Sequence, residues 1–283
     1  MKNRVCVVTG ANSGVGFETS LLLAELEAEV VLVCRDRGKG EGALRRIRDR
    51  LPSAKLRLEV TDLADLGQVR ELGKVLSKDF QALDLLVNNA GVYRASLEKT
   101  GDGFERTLAV NHLSHFLLTH LLLAPLLAGA GRVINVSSEA HRRGKLVSES
   151  LEEQLRGNQR FGGWNAYSDS KLANVLFTSE LSRRFQPHQL TTCAVHPGVL
   201  STHIWNQNRS PLSLLMNVFK PIMGKPSVGG EAVVFLSRQP SEEIHGRYFN
   251  KKRLVPPSPL GQDSELARRL WDVSWESVGL PPQ

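Results

Sequence analysis

With 283 residues, 41% of them apolar and 23% charged, the chain can bury a sizeable core and is not expected to be disordered. Its net charge of +7 gathers at Arg45-Arg46-Arg48-Arg50, Arg142-Arg143-Lys145 and Lys251-Lys252-Arg253, clusters without interleaved stacking aromatics. That pattern argues against a nucleic-acid partner and leaves an anionic ligand or a membrane surface open. The three cysteines, Cys6, Cys34 and Cys193, lie singly in apolar runs without metal-ligand spacing, so neither a disulfide frame nor a metal site is expected, and a reducing compartment, the cytoplasm, is.

In chain order, the first residues lead straight into an apolar stretch too short for a signal peptide, and residues 4–9 read as a strand. Thr9-Gly10-Ala11-Asn12-Ser13-Gly14-Val15-Gly16 follows and opens a helix over 13–26. Glycines at a strand-to-helix turn let the backbone approach a pyrophosphate that the free N–H groups of the helix start can bind. Gly10, Asn12, Ser13, Gly14, Val15 and Gly16 are therefore candidates for a dinucleotide site, a purely structural turn being the alternative. The second strand, 30–34, ends at Arg35, where an NAD-specific site would carry a carboxylate. A guanidinium suits the 2′-phosphate of NADP, with Lys39 assisting, although Asp36 follows directly and an exposed strand end is the alternative. A helix over 39–51 and a third strand at 56–60 lead to Asp62-Leu63, placed to meet an adenine ring. After a helix over 64–78 and a fourth strand at 83–88, Asn88-Asn89-Ala90-Gly91 supplies small residues where the chain passes close to a ligand, making Asn89, Ala90 and Gly91 candidates.

Residues 104–127 are expected to form one long helix, and the apolar run 116–128, broken by Thr119, His120 and Pro125, falls short of the ~20 residues that span a bilayer. On that helix Asn111 could hold a water that relays protons to Lys171, or could simply be a polar residue on a helix face. The fifth strand, 132–136, ends at Ser137-Ser138, where Ser138 can hydrogen-bond a substrate oxygen or cap a turn. Tyr167-Ser168-Asp169-Ser170-Lys171 lies on a helix over 165–185, so Tyr167 and Lys171 share a face. The adjacent ammonium, with the positive ring of an oxidised nicotinamide, is expected to lower the phenol from its reference of about 10 and make Tyr167 an acid and base. Alone, a Tyr and Lys at this spacing are common surface residues. A sixth strand at 191–195, a helix over 229–236, a seventh strand at 246–249 and a last helix over 264–275 complete the alternation. Residues 206–227 interrupt it with Pro211, Pro221, Pro226 and an apolar cluster at 212–219, and read as an insertion over a site. His112, His115 and His120 are too irregularly spaced for a metal motif and read as ordinary core residues, and His196 precedes Pro197 in a cofactor-side loop. Strands alternating with helices, several of them apolar along their whole length, point to an α/β fold, a single-domain Rossmann-type doubly wound parallel sheet of about seven strands flanked by helices.

In this order over residues 9–202, the pieces resemble the short-chain dehydrogenase/reductase family: the glycine motif, Arg35, Asp62, Asn88-Asn89-Ala90-Gly91, Asn111, Ser138, Tyr167 with Lys171, and Pro197-Gly198 followed by Thr202. The resemblance implies catalytic roles for Asn111, Ser138, Tyr167 and Lys171, and contacts of Pro197, Gly198 and Thr202 with a nicotinamide. Cys34-Arg35-Asp36, Asn111-His112-Leu113, Val136-Ser137-Ser138-Glu139-Ala140-His141 and Ser170-Lys171-Leu172-Ala173-Asn174-Val175, with 29 residues from Ser138 to Tyr167, are similar to the retinol dehydrogenase branch. That branch implies NADP(H) and lipophilic aldehydes or alcohols. Two departures stand out. The membrane anchor common in the branch is not expected from these residues, which counts against a retinoid role, and Glu27 stands where a helix-ending glycine is usual, so that helix is expected to end without an easy left-handed cap. The expected protein is one domain over 1–283, with 1–200 mainly for cofactor and catalysis and 201–245 covering the substrate. It is an NADP(H)-dependent oxidoreductase of apolar carbonyls and alcohols, a non-catalytic NADP-binding sensor or scaffold being the alternative. Peripheral membrane contact and homo-oligomer formation stay open.

Overall fold

The computed structural model describes residues 1–158, 161–198 and 224–281. The strands β1 (Val5–Thr9), β2 (Glu29–Cys34), β3 (Leu56–Val60), β4 (Leu85–Asn88), β5 (Arg132–Val136), β6 (Thr191–His196), β7 (Arg247–Asn250) and β8 (Arg253–Leu254) form one sheet in the order β3-β2-β1-β4-β5-β6-β7-β8. All neighbours pair in parallel except β8, which turns back antiparallel on β7. This eighth strand is one more than the pattern predicts. It has two residues, too few to carry a hydrophobic period, and follows a turn in which Lys251 takes a φ of 55°.

Both faces of the sheet are covered. Val7, Val31, Leu86 and Val133 pack in one core with helices Leu66–Asp79, Ser114–Leu121, Gly163–Arg184 and Ser264–Ser277. Val8, Val30, Leu32, Val87 and Ile134 pack in the other with helices Gly14–Glu25, Arg37–Arg50 and Pro226–Leu236. Two-sided burial is why these strands read as apolar runs rather than as alternating ones. It also leaves the carboxyl ends of the strands as the open edge, with the strand order reversing between β1 and β4.

Two local expectations are corrected. The single helix over 104–127 is instead a succession: Arg106–Leu108, a π turn at Ala109–Leu113, then Ser114–Leu121 and Leu123–Ala128. Pro125 has no N–H to give the Leu121 carbonyl, which accepts from the Ser77 hydroxyl at 2.8 Å instead, and the helix breaks there. Helix Gly14–Glu25 does end in a left-handed residue, because Glu27 itself takes a φ of 59°. The Glu27 N–H donates to Ala24 at 3.0 Å and the Ala28 N–H to Leu23 at 3.1 Å, closing the helix end without glycine. All three cysteines are buried and free. Among the described residues no helix is long and apolar enough to cross a membrane.

A side chain in the left-handed region is strained by roughly 1–2 kcal/mol, which exceeds the added unfolded-state freedom of a glycine. Glu27 is exposed, and its ion pair with Lys2 at 3.2 Å is solvated and adds little. Glu27→Gly is therefore expected to raise unfolding stability by about 0.5–1 kcal/mol in urea titration. A loss of stability would contradict the strain.

Candidate active site

The turn after β1 is built for close approach. Gly10 has a φ of +65°, and a Cβ on it would lie 2.9 Å from the Ala90 Cα. The turns after β1 and β4 are tied together through Thr9, whose hydroxyl accepts from the Asn89 N–H at 2.9 Å and the Ala90 N–H at 3.0 Å. The Asn89 carboxamide returns a bond to the Thr9 carbonyl at 2.7 Å.

A cavity of about 960 Å³ runs along the carboxyl ends of β1 to β6. Of the sequence candidates, Gly10, Asn12, Ser13, Gly14, Val15, Arg35, Lys39, Asp62, Leu63, Asn89, Ala90, Gly91, Ser138, Tyr167, Lys171, Pro197 and Gly198 line it. Gly16 does not. A Cβ there would meet the Gly10 carbonyl oxygen at 2.4 Å and the Asn89 amide at 2.5 Å, so Gly16 lets the first helix pack under the turn and is structural rather than a lining residue. Asn111 stands behind the wall. Thr202 and positions 206–223 of the covering segment fall outside the described residues.

Near β2, Arg35 and Lys39 are joined by Arg46, from the first of the basic clusters, which was not among the site candidates and lies 3.8 Å over the Phe17 ring. Asp36, the residue that clouded the choice of cofactor, is engaged as a helix cap and accepts from the Lys39 N–H at 2.9 Å. Asp62 closes a turn instead, accepting from the Ala64 N–H at 3.0 Å, and Asp65 caps the helix that follows.

On the β5 side, Tyr167 and Lys171 are both buried, the ammonium 5.7 Å from the phenol ring centroid. Lys171 donates to the Val136 carbonyl at 2.9 Å. Burial lowers Lys171 to about 8. Burial also pushes the Tyr167 phenol up to about 12, against the pull of its hydrogen bond with Ser138. The expected lowering of the phenol is therefore not produced by the chain's own groups, because a phenolate in this desolvated wall costs more than its neighbours return. Ser138 bonds Tyr167 and also caps the following turn, accepting from the Ala140 N–H at 3.2 Å. The aromatic rings of Tyr93 and Trp164 flank Tyr167, with centroids 6.3 and 5.8 Å away.

The Asn111 carboxamide is fully engaged. Its oxygen accepts from the Val92 N–H at 2.7 Å, and its nitrogen donates to the Val92 carbonyl at 3.0 Å and to Ser170 at 2.9 Å. His115, read as an ordinary core residue, reaches the Asn111 carbonyl at 3.2 Å and the Thr9 hydroxyl at 2.9 Å. Its only signal in the sequence is a spacing of four from Asn111 on an apolar segment. Among the described residues no cluster of potential metal ligands occurs. The arrangement places a neutral phenol, a hydroxyl and a buried cation on the wall of a slot whose other end is glycine-lined and basic.

Residues 4–149 and 154–213 match the family model of the short chain dehydrogenases. The chain is 40% identical over 282 residues to retinol dehydrogenase 12 of Homo sapiens, spanning 99% of this chain and 88% of that protein. It is also 40% identical to retinol dehydrogenase 13 of Mus musculus, spanning 98% of this chain and 84% of that protein. Among solved structures, an uncharacterized protein from Mycobacterium paratuberculosis is 32% identical with a TM-score of 0.78, covering 98% of this chain and 94% of that one. An NADPH-bound carbonyl reductase from chicken fatty liver is similar in fold, with a TM-score of 0.66 at 23% identity over 90% of this chain and 99% of that one.

Because a methyl group at Gly16 would press on backbone, Gly16→Ala is expected to cost roughly 1–3 kcal/mol of stability and to deform the Gly10 turn. Denaturant unfolding checks this, and an unchanged midpoint would contradict the packing role.

Proposed function

The chain belongs to the short-chain dehydrogenase family, in its retinol dehydrogenase-like branch, and from that premise we propose that it is an NADP(H)-dependent oxidoreductase interconverting an apolar aldehyde or ketone and its alcohol. The observation that carries this reading is the placement of Ser138, Tyr167 and Lys171 together on the cavity wall.

The fit of a dinucleotide rests on the Gly10 turn, where backbone approach leaves no room for a side chain, and on the free helix start behind Ser13. A bound nicotinamide supplies the hydride. The substrate oxygen is held by the Ser138 and Tyr167 hydroxyls, and Tyr167, neutral at working pH, donates its proton to that oxygen during reduction. Lys171, still cationic below about 8, stabilises the phenolate left behind, and Asn111 holds the neighbouring loop and helix in place. Arg35, with Lys39 beside it, receives the 2′-phosphate. The preference for NADP over NAD is supported by Arg35, Lys39 and Arg46, whose cations all line the cavity beside β2. Pro197 and Gly198 border the nicotinamide end. Tyr93 and Trp164 beside the phenol support the apolar substrate class.

Tyr167→Phe is expected to lower kcat for aldehyde reduction by roughly 10²- to 10⁴-fold while leaving NADPH binding intact, and retained turnover would remove Tyr167 from the acid/base role. Arg35→Ala should weaken NADPH binding roughly 10- to 100-fold with little change for NADH, in line with one charged hydrogen bond of about 1.5–3 kcal/mol. Equal losses for both cofactors, measured by fluorescence titration, would contradict a 2′-phosphate contact. The rate of reduction should fall as pH rises through about 8, where Lys171 loses its charge, and a profile flat across that value would contradict its role.

A further inference from the structure

We propose that His115 is a positioning residue that joins the turn after β1 to the π turn at Asn111 and, through it, holds the helix bearing Tyr167 and Lys171 in register with the dinucleotide slot. The inference deepens the oxidoreductase reading and rests on it.

Hydrogen-bond accounting fixes the chemistry of the ring. The Asn89 and Ala90 N–H groups, at 2.9 and 3.0 Å, fill both lone pairs of the Thr9 hydroxyl, which is left with a single proton to give. His115 Nε2 lies 2.9 Å away, closer than the alternative acceptor, the Val87 carbonyl at 3.3 Å. Nε2 must therefore accept. On the other side of the ring, Nδ1 is 3.2 Å from the Asn111 carbonyl oxygen, which can only accept, so Nδ1 must carry the proton. The two ends, argued independently, require the same tautomer. Burial keeps the ring neutral by lowering its pKa to about 4, so it retains one donor and one acceptor at working pH.

The chain of bonds continues on the far side of Asn111. Its carboxamide donates to the Ser170 hydroxyl at 2.9 Å, and that hydroxyl donates to the Tyr167 carbonyl at 2.7 Å. Thr9, His115, Asn111 and Ser170 are all buried, at no more than 1% exposure, so none of these bonds competes with water. A histidine bonding back to the carbonyl four residues earlier would be an ordinary helix feature. The second bond, to a strand residue 106 positions away, is what makes His115 a joint between two parts of the site. Since misplacement by about 1 Å can cost a hundredfold in rate, such a joint has a kinetic consequence.

The first measurement uses the unaltered protein: ¹⁵N NMR of the histidine rings, with and without NADPH, should find His115 with a protonated Nδ1 and a bare Nε2 down to pH about 5. A protonated Nε2 would overturn the proposal. The second compares variants. His115→Phe removes both bonds and is expected to lower kcat roughly 10- to 100-fold with KM for the aldehyde little changed. His115→Gln, whose carboxamide oxygen can stand in for Nε2 as the acceptor of the Thr9 hydroxyl proton, should recover most of that loss. Wild-type kcat in the Phe variant, or equal losses in both variants while NADPH still raises their thermal midpoints, would overturn the positioning role. Should Tyr167→Phe prove as active as the parent protein, the acid/base reading fails, and the ring tautomer still decides the hydrogen-bonded chain.

Discussion

Everything at the open edge of the sheet depends on how closely the turns after β1 and β4 approach each other. Helices cover both faces, so only the strand ends can receive a ligand, and at the switch point the Thr9 hydroxyl draws the Asn89 and Ala90 amides onto the first turn. That contact leaves no space for a side chain at Gly10, and Gly16 must be bare for the first helix to pack beneath it. The floor of the slot is thus backbone, which suits a flat, charged dinucleotide better than a bulky apolar ligand. Residues with chemistry stand on the walls rather than the floor.

Burial sets the balance of charge on those walls. The same desolvation that lowers Lys171 raises Tyr167, so near neutrality the chain's own groups keep the phenol protonated and the ammonium charged, with its charge lost above about 8. That state is a proton donor beside a cation, the arrangement a carbonyl reduction needs at its outset. The reverse reaction requires a phenolate, which this wall alone disfavours. Ionising the phenol therefore needs charge from outside the chain, such as the positive ring of an oxidised nicotinamide.

What the sequence made legible, and what it did not, follows from the range of the forces involved. The glycine turn, Tyr167 with Lys171, and the strands were readable because local geometry decides them: a spacing of four on a helix, small residues at a strand end, β-branched runs. The break at Leu122 could have been read from Pro125, but the π turn could not, since its Asn111 is bound by Val92 and Ser170, both distant in the chain. Asp36 was ambiguous because a carboxylate beside Arg35 can bind a ribose or cap a helix, and the bond from the Lys39 N–H shows that it does cap. Gly16 was assigned to the ligand from its place in the motif, whereas its neighbours are the protein's own backbone. Glu27 shows the opposite error, where a residue rule forecast the loss of a cap that tertiary packing enforces at the cost of strain.

The central claim, that this slot passes hydride to a carbonyl carbon, is tested most directly by isotope transfer. The protein would be incubated with NADPH carrying deuterium at C4 of the nicotinamide and a panel of apolar aldehydes, and the alcohols examined by mass spectrometry. The account predicts one deuterium on the carbinol carbon, transferred from a single face of the ring. NADPH bound tightly but never giving up its deuterium to any of the aldehydes would contradict it and favour a binding protein without turnover.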